Sequence, residues 1–283
     1  MKMGTQIAQM LRNADLRRSF FNFSICVHLR LISVICVLQL NRMSETLSPK
    51  DAARLVAALR KHDELSHRRV ESGGLSPEMA MLRAWQAQRL ARTYADFLAD
   101  PRYEPACRFF LDDIYAAKDF SQRNTDIMRL HDFTARFIPA RALKTLTKAI
   151  ELNNLTEELD EKLLDVLLNQ VGVTDSISEE QYAEAYRLCD NYDERVKQID
   201  MIVEIGRDLE NLVKHRVIGW MLRLAHGPAY RAGWHELQDF LEHGYAAFRR
   251  MGKADKFLNA IHDREMTILD NIYQGKPHPF EYE

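Results

Sequence analysis

Apolar residues recur at three- and four-residue intervals along most of the chain, and no stretch alternates at period two. The pattern predicts helix almost everywhere. Ser48-Pro49 and Ser76-Pro77 each set an N-cap residue before proline at the first helical position, where the missing N–H costs nothing. Helices are therefore expected over about 49–70 and 77–99, separated by "SGG". Pro101 and Pro105 reset the chain before a helix over about 102–117. Ser121 caps another, with Ile127, Leu130, Thr134 and Phe137 on one face, and Pro139 ends it.

"PARALKTLTKAIEL" predicts a short helix, and Thr156 starts a second one carrying Leu159, Leu163, Val166 and Leu167. Ser178 and Gln181 form a capping box for the helix of Tyr182, Tyr186 and Leu188. The longest stripe runs through Ile199, Val203, Gly206, Val213, Val217, Trp220 and Leu224, predicting a central helix over about 193–225 that "HGP" at 226–228 stops. Helices over about 234–251 and 254–273 follow. The expected class is all-α, a bundle of roughly nine or ten helices after Met43, with residues 43–280 in one composite domain.

The first forty-two residues break this pattern. They hold six Lys/Arg against one acid, Asp15, and an apolar run, Ser19–Leu40, with the length of a membrane span. His28 and Arg30 lie near its midpoint, where an arginine costs about 2.5–3.5 kcal/mol. Three readings stay open: an N-terminal extension upstream of a start at Met43, a targeting or anchoring segment, and a genuine structural helix. Unless 19–40 is a real membrane segment, no membrane partner is implied.

Composition narrows the function classes. At a formal net charge of −2, with 28% charged residues, no bulk field gathers nucleic acid. Cys26, Cys36, Cys107 and Cys189 include no CxxC pair and read as thiols in a reducing, cytoplasmic compartment. GxSxG, P-loop and GxGxxG motifs are absent. Arg54, Arg60, Lys61, Arg68 and Arg69 tint one helix basic, the pattern of a solvated face.

Metal and ligand signals are partial. Glu64-His67 is a lone ExxH, extended by Glu71, and a di-iron bundle needs two. The pairs His62-Asp63, His131-Asp132 and His262-Asp263 lack further spaced ligands. His215 and His226 lie eleven residues apart, on one face of a continuous helix, where either could serve a haem or other flat ligand. Glu265 falls in line with the apolar Leu258, Ile261, Ile268 and Ile272, so it needs a partner, for which Arg223, Arg249 and Arg250 are candidates. A structural ion pair is the main reading of Glu265, and a catalytic acid of raised pKa the other.

On a helical wheel Cys107, Phe110, Leu111 and Ile114 share a face, Phe109 flanks it and Tyr115 sits at its edge, while Asp112 and Asp113 point away. Two neighbouring acids diverging by about 100° do not close a metal site. This stretch, Phe109, Phe110, Leu111, Asp112, Asp113, Ile114 and Tyr115, within "DPRYEPACRFFLDDIYAAKDFSQRN", resembles the defining segment of the bacterial FFLEELY-motif proteins. Asp replaces both Glu, and Ile replaces the second Leu. The segments from Phe137 and from Glu236 to Gly275 are similar to that family as well. The resemblance implies a bacterial, soluble, helical protein, and brings no catalytic residues with it.

The functional expectation is a non-enzymatic module that binds another protein, with no cofactor. The alternative is a ligand-binding helical fold, globin-like or haem-oxygenase-like, using His215 or His226. An enzyme built on Glu265 ranks third.

Overall fold

The computed structural model describes residues 48–71, 74–114 and 140–282. Among them the chain is all-α: α1 (Pro49–Glu71), α2 (Pro77–Thr93), α3 (Ala95–Ala99) and α4 (Glu104–Arg108), the last running directly into a π-helical segment, Phe109–Ile114. Then come α5 (Ala140–Asn169), α6 (Glu179–Cys189), α7 (Tyr192–Val213), α8 (Arg216–Arg231), α9 (His235–Met251) and α10 (Asp255–Tyr273). No described helix is long and apolar enough to cross a membrane. The expectations for 1–42, for the helix beginning at Ser121 and for Tyr115 lie outside the described residues.

The predicted caps form. Ser48 Oγ accepts from the Asp51 N–H at 3.1 Å and Ser76 Oγ from the Met79 N–H at 3.1 Å, each filling one donor left open at a helix start. At α6 both halves of the capping box close, Ser178 with Gln181.

Five predicted boundaries move. The stripe expected over 193–225 is cut at Lys214–His215, where His215 takes an extended ψ of 103°. Nothing local breaks it. Arg249 Nη1 donates to the Val213 carbonyl at 3.0 Å, satisfying the end of α7 from another helix. Pro228 does not stop the next helix either, since it lies inside α8. The stop is Gly233, whose φ of +82° lets Trp234 N–H reach Ala229 O and its own N–H reach Tyr230 O.

The two helices expected either side of Thr156 are one. Asn154, at the expected junction, turns inward and ties α5 to α1 by donating to Ala58 O at 2.9 Å. The helix expected over 77–99 breaks at Tyr94, and only Glu104–Arg108 of that expected over 102–117 is α-helical, with π winding beyond it.

Among the described residues, packing settles into three apolar clusters. α1 meets α5 through Leu55, Leu59, Leu143 and Ile150. Leu82 of α2 packs with Leu163 and Leu167 of α5, Tyr182 of α6 and Ile272 of α10. The third gathers Phe97, Cys107 and Phe109 against Val203, Phe248, Met251, Phe257 and Leu258. α7 touches α5, α8, α9 and α10 and so remains the post of the bundle, though shorter than its sequence stripe.

Candidate functional site

Where the second and third clusters meet, the core is not dry hydrocarbon. Several buried stripes carry polar residues at helical spacing: Gln86 and Arg89 beside Leu82 on α2, Asp160 beside Leu159 and Leu163 on α5, and Arg195 and Gln198 beside Ile199 on α7. Burial of such groups demands partners. They find them mostly in one another, around a cavity of about 100 Å³.

Glu265 of α10 is half of the first pair. Arg89 Nη1 contacts both of its carboxylate oxygens, at 2.6 and 2.8 Å, and the Tyr94 hydroxyl donates to Oε1 at 2.9 Å. The structural ion pair foreseen for Glu265 is present, with a different partner: Arg223 donates to Gly219 O on its own helix and Arg249 to Val213 O. Spacing along α10 placed the acid, but only the fold shows that α2 supplies its arginine. Burial opposes the Arg89 charge, yet Glu265 outweighs burial and raises its pKa. Burial likewise pushes the Tyr94 hydroxyl well up, with Glu265 adding to the rise.

Arg195 is held differently. It is 3% exposed. Its Nη1 donates to Gln198 Oε1 at 3.0 Å and its Nη2 to Leu159 O at 3.2 Å, both neutral acceptors. The Tyr186 ring lies 4.5 Å from its guanidinium carbon. The nearest carboxylate, Asp160, is 4.0 Å away and accepts instead from Gln86 Nε2 at 3.0 Å. Burial raises the pKa of Asp160, working against its charge. The Nε atoms of both Arg89 and Arg195 are buried without a hydrogen-bond partner.

The cavity's other wall is apolar, and part of it is the π segment. Phe110 and Leu111 line it, together with Ile202, Phe257 and Ile261. Phe109 is buried as well, its ring centroid 5.1 Å from that of Phe240, and Phe110 reaches Phe248 and Phe257 at 6.4 and 5.9 Å. Cys107 also borders the cavity, and burial pushes its thiol up to about 12. The side chains of Asp112, Asp113 and Ile114 lie outside the described residues.

The histidines singled out by spacing go elsewhere. His215 sits at the start of α8, and His226 is exposed, its Nδ1 3.0 Å from Glu242 Oε1 and its ring stacked on Tyr230 at 4.4 Å. Neither lines the central cavity. His215 caps α8 and His226 lies on that same helix, so the break at Lys214–His215 leaves their spacing intact but separates both from the stretch of α7 that borders the cavity. His67 pairs with Asp63 at 3.6 Å on the surface, His262 with Asp263 at 3.1 Å, and buried His62 lies 3.2 Å from Asn154 Oδ1. His131 lies outside the described residues, among which no group of three metal-ligating side chains occurs.

Arg89, Asp160 and Arg195 are the residues that sequence reasoning missed. A signal existed: each falls at a three- or four-residue interval from apolar neighbours, as Glu265 does on α10.

Fold and site together define an all-α bundle with a charged, apolar-walled cavity at its centre. The chain belongs to a family described as a domain of unknown function, DUF8198, whose model matches residues 41–279. No curated protein and no solved structure matches it.

Proposed function

We propose that this is a non-enzymatic binding protein whose central cavity receives a small ligand. The observation that carries the reading is Arg195: a buried guanidinium at a cavity wall, hydrogen-bonded only to neutral groups. A protein seldom holds such a charge without use for it, since an apolar replacement of similar volume is often neutral or stabilising. Pockets for small molecules combine apolar walls with a few convergent polar groups, as here. π turns recur at functional sites, and the stretch resembling the FFLEELY signature forms one against this cavity. Tyr94, Tyr182 and Cys107 are all pushed up by burial, away from the ionised form that a nucleophile or base needs, which favours binding over catalysis.

A thermal-shift screen of small fragments tests this. Hits are expected for the native sequence and should vanish in Ile202→Phe, which adds bulk at the cavity wall. Hits that survive in Ile202→Phe place binding elsewhere, and a folded protein with no hits contradicts the reading.

A protein partner is a second reading, favoured by the half-exposed apolar surface of α8 and α9, where Trp220, Tyr230 and Leu241 are 37%, 44% and 38% exposed. Affinity capture with the native sequence and with Trp220→Glu tests it; a partner retained equally by both counts against this face. A bacterial setting remains part of the proposal on the strength of the FFLEELY resemblance, and a cytoplasmic one on the strength of the cysteine pattern.

A further inference from the structure

The charge balance and size of the cavity restrict what it takes. Arg89 and Glu265 answer each other directly. Arg195 has no carboxylate within hydrogen-bonding distance, because Asp160 stands 4.0 Å off and is engaged by Gln86. A buried cation of this kind is complemented best by an anion small enough to come in beside it. At about 100 Å³ the space is smaller than the ~150 Å³ cavity that holds benzene, so the ligand has about six heavy atoms or fewer. Beside the polar groups, Phe110, Ile202, Phe257 and Ile261 offer only hydrocarbon.

We infer that the cavity binds a short aliphatic monocarboxylate, its head group taken by Arg195 and its alkyl chain lying against Phe110, Ile202 and Ile261. This rests on the cavity being a binding site. A carboxylate head accepts from a guanidinium edge, and Arg195 lines the cavity with N–H donors beyond those that Gln198 and the Leu159 carbonyl engage. Asp160 sits close enough to repel the incoming charge, and it yields by taking up a proton, a change that its burial already favours. The Gln86 amide continues to hold it in either form, since a protonated carboxyl keeps an acceptor oxygen. Ligand discrimination thus falls to charge at Arg195 and to chain length along the apolar lining.

Calorimetric titration with butyrate, butyramide and butylamine, three probes of one chain length and three charge states, tests the inference on the full chain. Butyrate is expected to bind at least tenfold more tightly than either of the others. Arg195→Met should abolish that preference, while Arg195→Lys, which keeps the charge, should retain part of it. Asp160→Asn, fixed in the neutral form, should bind butyrate no more weakly than the native protein, and this variant keeps the test open if Arg195→Met does not fold. Butyramide or butylamine binding as tightly as butyrate overturns the carboxylate class. Should none of the three bind while fragments are still displaced by Ile202→Phe, the inference fails and the cavity stands; should the fragments fail too, both fall.

Discussion

Single residues decide this core because its charges are buried. Arg89 and Glu265 satisfy each other across helices far apart in sequence, so removing one leaves the other desolvated and alone. Arg89→Met should cost about 3–5 kcal/mol in urea unfolding, and Arg89→Met combined with Glu265→Leu appreciably less than the two single changes added. Asp160 carries the pH dependence. Its folded pKa is raised above the ordinary 3.8, so the folded state holds its proton more firmly than the unfolded one. Its contribution to stability is present below the ordinary value and is lost as pH rises through the folded one. The stability of Asp160→Asn relative to the native protein should therefore grow from pH 4 upward; a gap that does not change with pH contradicts this. Cys107, with its thiol near 12, should stay unmodified by iodoacetamide at pH 8 in the folded protein, as peptide mapping would show.

At the scale of elements, what could be read from the sequence was whatever is encoded locally. Ser48, Ser76 and the Ser178–Gln181 box start helices because their side chains close bonds three residues away. The breaks at Tyr94 and at Lys214–His215 were illegible, because neighbouring helices decide them, as Arg249 does by taking the Val213 carbonyl. The start expected at Thr156 misled in the opposite direction: the helix runs through it, and Asn154 just before it is an inward tie to α1. The π segment also depends on close approach. A Cβ on Gly244 of α9 would stand 2.9 Å from Phe109 Cζ, in a ring cluster with little room to yield. Gly244→Ala should lose about 1–2 kcal/mol by chemical denaturation even though alanine favours helix, because overpacking exceeds the propensity gain. An equal or higher stability would show that Phe109 moves freely.

For the whole molecule, the all-α class and most helix positions were legible, since periodicity survives without knowledge of neighbours. The candidate site was legible only at Glu265, an acid on an apolar stripe, and at the Phe109–Leu111 stretch. Its other half was hidden because α2, α5 and α7 each bring one polar residue whose meaning appears only when the three converge. His215 and His226 misled for the complementary reason: their spacing survives along α8, but α8 contributes no residue to the cavity wall. The central claim is that this convergence makes a ligand cavity, and isoleucine methyl NMR addresses it directly, since Ile199, Ile202, Ile261 and Ile268 line the cavity while Ile150 and Ile218 do not. On addition of butyrate or butyramide, shifts are predicted at the first four methyl groups and not at the other two. Unchanged methyl groups around the cavity with both probes at saturating concentration would contradict the account.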